Sequence, residues 1–223
     1  MNRLLLLPGY LEDSTIFDTL RPHLPPAAEV LALELEPEFA QWRPAGPANV
    51  VTFARHLVQR YGIGPTDVLI GHSMGGWITA HLRAQTGAAA ILLSSFTDQR
   101  KIVATARHPL LLAFYAWSGV GGSRWLRQRA KRRYQFDESR ELYARLADSM
   151  ARYPRRYVHR QLQVLFAPVP PLALPPNLRV HARRDNVILP PDEAFVEIPG
   201  DHFAHYYHPQ RVAAAIGQLG LGG

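Results

Sequence analysis

The sequence predicts an α/β architecture in which a mostly parallel sheet is covered by helices on both faces, and three observations lead there. Short apolar runs alternate along the chain with stretches whose apolar residues recur at helical spacing. The runs are apolar on successive residues rather than on every second one, as expected of strands buried on both faces. A length of 223 residues with 47% apolar content suffices for one domain with a sizeable core.

Residues 3–7 read as the first strand, ended by Pro8-Gly9, and Asp13 or Ser14 is suited to cap a helix to about Leu20. Val30-Leu31-Ala32-Leu33 is a second strand, and the proline-rich stretch 37–47 reads as a loop. Val50, Val51, Ala54, Leu57 and Val58 define a helix that Gly62-Ile63-Gly64-Pro65 stops. A strand at 67–70, a helix from Met74 to about Gln85 ended by Gly87, and a strand at 90–93 follow. Leu178–His181 and Ala194–Ile198 are the later strands, and Pro209 opens a closing helix through about Leu219.

Residues 96–177 interrupt this alternation. They look helical in pieces and carry Phe114, Tyr115, Trp117, Trp125, Tyr134 and Phe136, aromatics that need a partner surface, so a helical cap over the strand ends is expected. The five prolines among residues 168–176 read as a stiff return to the core. The predicted organisation is a core of residues 1–95 and 178–223 with residues 96–177 as the cap insertion.

Charge is unevenly spread. The formal net charge is +7, yet residues 96–177 hold 15 Lys+Arg against 5 Asp+Glu, whereas the remainder holds 10 against 13. Arg124, Arg127, Arg129, Lys131, Arg132, Arg133, Arg152, Arg155 and Arg156 make this segment suited to an anionic carrier, a phosphate or an acidic lipid. The plainer alternative is a solvated arginine-rich face, since only two lysines accompany the many arginines. Nucleic acid is not expected as a partner: no recognised binding motif accompanies the arginines, and the rest of the chain is negative.

No apolar run approaches the ~20 residues of a membrane span, and Leu4–Leu7 is too short for a signal-peptide core. A cytoplasmic protein without stable membrane insertion is therefore expected. The absence of cysteine excludes disulfides and thiolate zinc sites. Neither a dinucleotide glycine fingerprint nor a phosphate-loop lysine is present, and no Asp/Glu/His set has a clear metal-ligand spacing, so neither cofactor nor metal is expected.

The most informative stretch is Asp67-Val68-Leu69-Ile70-Gly71-His72-Ser73-Met74-Gly75-Gly76-Trp77, an apolar strand that breaks sharply into a helix with a serine at the break. Glycines two residues before and two after the serine let strand and helix pass closely, which is the requirement of a nucleophile elbow. The helix N-terminus directs N–H groups at the same spot, so the Met74 N–H is suited to receive a developing oxyanion.

In this order of parts the chain resembles the α/β-hydrolase superfamily, over nearly its whole length. Gly71-His72-Ser73-Met74-Gly75 matches that family's G-x-S-x-G, and Leu7-Pro8-Gly9-Tyr10 resembles its strand-end oxyanion loop with Pro8 replacing the usual histidine. The resemblance implies a three-layer α/β-hydrolase fold that begins at the third strand of the usual eight, with the Tyr10 N–H as second oxyanion donor. His181-Ala182-Arg183-Arg184-Asp185 resembles the family's acid loop and makes Asp185 the acid, although the position of Pro190 would instead suit Asn186. Asp98, just past the strand after the elbow, is the alternative acid. Gly200-Asp201-His202-Phe203 follows the last strand as the family's glycine-x-histidine does, making His202 the general base, with His205 the alternative and His208 a surface residue.

The resemblance thus implies a serine hydrolase acting on carboxylic esters through Ser73, His202 and Asp185, with a small-molecule ester or thioester as substrate. A thioesterase acting on carrier-protein or coenzyme A esters is the nearest alternative, supported by the basic segment. A non-catalytic binding module is the alternative of another class. Substrate identity and oligomeric state lie beyond the sequence.

Overall fold

The computed structural model describes residues 3–25, 29–103 and 107–219. Six strands, β1 (Arg3–Leu7), β2 (Glu29–Ala32), β3 (Val68–His72), β4 (Ala89–Leu93), β5 (Leu178–His181) and β6 (Val196–Glu197), form one sheet in the order β2-β1-β3-β4-β5-β6. Every neighbouring pair is parallel, with Leu5 opposite Leu31 on one side and Leu69 on the other. The chain therefore starts inside the sheet, steps outward to β2 and returns to β3. That makes the gap beyond the ends of β1 and β3 the topological switch point, where open α/β sheets bind ligands.

The two faces follow from the strand period of two. Leu5, Leu7 and Leu69 point into one core with helices α1 (Leu35–Gln41), α2 (Val50–Tyr61) and α3 (Met74–Thr86). Leu4, Leu6, Val68 and Ile70 point into the other, against α8 (Ala204–Tyr207), α9 (Pro209–Gly217) and the segment around Phe17 and Leu20. Helix α2 begins on a reciprocal capping box between Asn49 and Thr52 and ends at left-handed Gly62.

Three local expectations are corrected. The 37–47 stretch is not loop throughout, because α1 occupies Leu35–Gln41; Pro37 falls in the first turn, where its missing N–H costs nothing, and Leu35, Phe39 and the following Trp42 are buried. Instead of a helix to Leu20, two 3₁₀ turns at Ser14–Phe17 and Arg21–His23 appear, the first capped by the Asp13 carboxylate and the second holding Pro22 at its start. The last strand pairs only over Val196–Glu197, since it lies at the sheet edge and meets only Val180 and His181.

Between β4 and β5 the structure places four helices, α4 (Pro109–Ser118), α5 (Arg124–Arg133), α6 (Arg140–Ser149) and α7 (Arg155–Phe166), and no strand among the described residues. Helix α7 joins this layer to the sheet layers. Its Val158 and Leu162 pack under α4, while Tyr157, Val164 and Leu165 belong to the core formed with α1–α3. The Trp77 indole N–H donates to the Val164 carbonyl at 3.0 Å.

The glycines of the strand-to-helix turn are required by close approach. A Cβ on Gly75 would lie 1.9 Å from the Leu7 carbonyl oxygen, and one on Gly71 would lie 2.4 Å from the Gly75 backbone. Both obstacles are main chain and cannot rotate away. Gly75→Ala and Gly71→Ala are expected to destabilise by at least about 3 kcal/mol or to prevent folding, whereas Gly64→Ala, which meets open space, stays within about 0.5 kcal/mol of wild type in denaturant unfolding.

Candidate active site

Ser73 occupies the break between β3 and α3 with φ 52° and ψ −119°. This is a conformation that costs a non-glycine residue about 1–3 kcal/mol and persists only when its surroundings over-determine it. Here they do. The Ser73 N–H donates to Leu93, and its carbonyl accepts from the N–H groups of Gly76 and Trp77 and from the Ser95 hydroxyl at 2.6 Å. The other non-glycine residues with positive φ among those described, Leu11 and Ser94, also follow strand ends, so strain gathers along the C-terminal edge of the sheet.

His202, on the loop after β6, donates from Nδ1 to Asp185 Oδ2 at 2.9 Å. A carboxylate can only accept, so in the neutral ring the proton sits on Nδ1 and Nε2 keeps its lone pair. The other carboxylate oxygen of Asp185 accepts the N–H groups of Val187 and Ile188 at 2.8 and 2.9 Å. Burial opposes charge on both partners, but their mutual attraction wins: the Asp185 carboxyl lies below its ordinary pKa, helped by the Ile188 N–H, and the His202 imidazole lies above its own. His181 stands behind the pair, 3.5 Å from Asp185, donating to the Ile188 carbonyl, and burial lowers its pKa.

Ser73 and His202 line one cavity of about 390 Å³, together with Tyr10, Leu11, Glu12, Tyr115, Leu126, Arg127, Met150 and Val187. No direct hydrogen bond joins Ser73 to His202 among the described residues; both line the same cavity. The backbone of Gly9 presses on the serine, since a Cβ there would lie 3.0 Å from the Ser73 Cβ. Neither the Tyr10 nor the Met74 backbone N–H has a hydrogen-bond acceptor among the described residues. The Tyr10 hydroxyl is buried without a partner, and burial pushes its pKa well above the ordinary value.

The alternative residues lie elsewhere. Asp98 caps the turn Gln99–Lys101 and is bound by Arg100 at 2.6 Å, whereas the carboxylate bound to His202 is that of Asp185. Asn186 is exposed, and His208 lies 3.5 Å from Glu138. His205 is fully buried beside the His72 ring at 4.0 Å, and burial with two neighbouring imidazoles pushes its pKa well down, so it is neutral.

Sequence reasoning missed Glu12. Its carboxylate is buried, accepts the Gly9 N–H at 2.5 Å and meets His72 Nδ1 at 2.8 Å, while His72 Nε2 donates to the His202 carbonyl at 3.0 Å. Glu12 and His72 thus tie the loop after β1 to the elbow and to the His202 loop. In sequence Glu12 looks like any loop carboxylate, and only the fold turns it inward.

Compared with known proteins, residues 4–215 match the sequence model of the alpha/beta hydrolase family. The chain belongs to this family. Among the solved structures similar to this hydrolase are a thermophilic esterase from Thermogutta terrifontis (20% identity, 98% of this chain and 89% of that one, TM-score 0.71) and an enol-lactonase from Burkholderia xenovorans (14%, 98% and 90%, TM-score 0.71). A thioesterase of the prodiginine pathway of Streptomyces coelicolor is similar at 18% identity over 98% and 85% of the two chains, with TM-score 0.59. At such identities these likenesses speak for the fold. No curated protein matches the sequence. Hydrolase chemistry is what the family membership supports.

Removing the Glu12 carboxylate leaves the buried Gly9 N–H without its acceptor and His72 Nδ1 without its partner. Glu12→Ala is expected to lower stability by about 2–4 kcal/mol, and Glu12→Gln, which still accepts from Gly9, by less, read by thermal or urea unfolding.

Proposed function

We infer that this hydrolase cleaves carboxylic esters through an acyl-enzyme on Ser73. The observation that carries the reading is a serine held in a strained turn on the wall of a cavity that also receives an imidazole paired to a buried carboxylate. Ser73 Oγ attacks the ester carbonyl carbon while His202 Nε2 takes its proton, and Asp185 holds the imidazole in the required tautomer and stabilises its cation. The oxyanion is received by the free N–H groups of Tyr10 and Met74, each worth about 10²–10³ in rate. Collapse expels the alcohol, which takes the proton from His202; water activated by the same nitrogen then releases the acid.

The helices between β4 and β5 act as the cap, with Tyr115, Leu126 and Met150 presenting an apolar surface to the acyl group. The cavity volume lies within the ~300–1,000 Å³ of small-ligand sites, which suits a modest acyl chain. No helix among the described residues is long and apolar enough to cross a membrane.

A fluorophosphonate is expected to add once to the wild type and not to Ser73→Ala, by intact mass. Ser73→Ala is expected to lose on the order of 10⁶ in kcat and Asp185→Asn about 10⁴ on a p-nitrophenyl ester. Absence of both adduct and turnover in folded protein would sink the reading and favour a binding module; turnover of thioesters alone would make it a thioesterase.

The pH profile follows from the pair. The base works when deprotonated, and Asp185 holds the His202 pKa above its ordinary value, so kcat/KM is expected to rise with pH through a midpoint above ~6.5. In Asp185→Asn the burial of the ring is left unopposed by that charge, and the residual activity is expected to titrate at lower pH than wild type.

A further inference from the structure

We propose that the outer face of α4 and α5 docks onto a membrane surface containing anionic lipid, with the apolar side chains entering the interface and the arginines meeting lipid phosphates. Helix α4 is apolar all round. Its Leu112, Tyr115 and Ala116 pack over Val158 and Leu162 of α7, which accounts for one face. The opposite face carries Leu110, Leu111, Phe114 and Trp117 at 74, 56, 65 and 49% exposure, with 110, 114 and 117 at the i, i+4, i+7 spacing of one helical stripe. After a single turn through Val120, α5 adds Trp125 at 68%. A helix apolar on both sides has two surfaces to bury, and this one buries a single side.

Charge decides the occupant. On α5, Arg127 and Lys131 are neutralised by Asp148 of α6 at 2.6 and 2.5 Å. Arg124, Arg129, Arg132 and Arg133 are exposed and have no acidic partner among the described residues. Arg129 lies over the Trp125 ring, and Arg155 donates to the Trp117 carbonyl at 2.8 Å, so cations border the apolar stripe at both tryptophans. Leucine, phenylalanine and tryptophan edged by arginine is the chemistry of helices that lie in a lipid interface, where aromatic rings sit at headgroup depth and cations find phosphates. A second copy of the chain is the poorer occupant, since a two-fold pairing of this face would set these arginines against their own counterparts.

The inner sides of the same helices supply Tyr115, Leu126, Arg127 and Ala130 to the Ser73 cavity. Docking would therefore bring the roof of the cavity, rather than a remote surface, to the lipid.

The test is co-sedimentation of the full chain with vesicles of phosphatidylcholine and with an equimolar mixture of phosphatidylcholine and phosphatidylglycerol. Binding is expected to the mixed vesicles, at least about tenfold above phosphatidylcholine alone, to weaken with added salt and to blue-shift tryptophan fluorescence. Each of Arg124→Gln, Arg129→Gln, Arg132→Gln and Arg133→Gln is expected to weaken it by about fivefold. The triple variant Leu110→Ser, Phe114→Ser, Trp125→Ser, at exposed positions that leave the core intact, is expected to lose at least about tenfold while keeping its thermal melting. Ser73→Ala is expected to bind as wild type does, which separates this surface from the hydrolytic reading. No binding to mixed vesicles, binding indifferent to headgroup and salt, or full binding by the triple variant would overturn the proposal. A dimer in sedimentation equilibrium that the triple variant abolishes, without vesicle binding, would overturn it in favour of self-association.

Discussion

The approach of α3 to the ends of β1 and β3, closer than any side chain permits, is the constraint on which the rest of the molecule depends. With Gly75 against the Leu7 carbonyl and Gly71 against the Gly75 backbone, the helix can start directly at the strand end. Ser73 is then forced into positive φ, and the cost is offset by hydrogen bonds from its N–H to β4 and to its carbonyl from α3 and Ser95. A side chain in such a turn is held out from the sheet edge, and the N–H groups of the first helical turn surround it. Strand pairing fixes where the turn sits, and the turn fixes where the Ser73 side chain stands.

Around that point two acid–imidazole contacts divide the work. Asp185 and His202 form a pair whose carboxylate is further held by two backbone N–H groups, so the ring cannot rotate without breaking buried bonds. Glu12 and His72 form the other, beneath the serine, and bind the loops after β1 and β6 to the elbow. Asp201, next to His202, accepts the hydroxyls of Tyr134 and Ser139 and ties the same loop to the helical layer. The position of the imidazole thus depends on the sheet edge, on the loop after β1 and on α5–α6 together.

The helical layer between β4 and β5 has a different character on each side. Towards the sheet its apolar residues close the cavity, and α7 is continuous with the central core. Away from it, α4 and α5 present leucine, aromatic and arginine side chains that the chain itself does not cover. The uneven charge seen in the sequence resolves into paired cations beneath, at Asp148, and unpaired cations outside.

The sequence by itself determined the alternation of buried strands and helices and the sharp strand-to-helix break at Ser73, because each is encoded in contiguous residues, as apolar runs and glycine spacing; the Asp185 and His202 loops were expected only from the family resemblance. The resemblance already ranked Asp185 ahead of Asp98, and the tertiary structure turns Asp98 to Arg100 while it brings Asp185 to an imidazole seventeen residues further on. Helix α1 was hidden by the prolines around it, since what makes it helical is the burial of Leu35 and Phe39, beyond the reach of local propensity. Glu12 and the outward face of α4 were invisible for the same reason. Whether a carboxylate meets a histidine sixty residues away, or which side of an all-apolar helix finds a partner, is decided by packing between distant segments, and one-dimensional pattern carries no term for it.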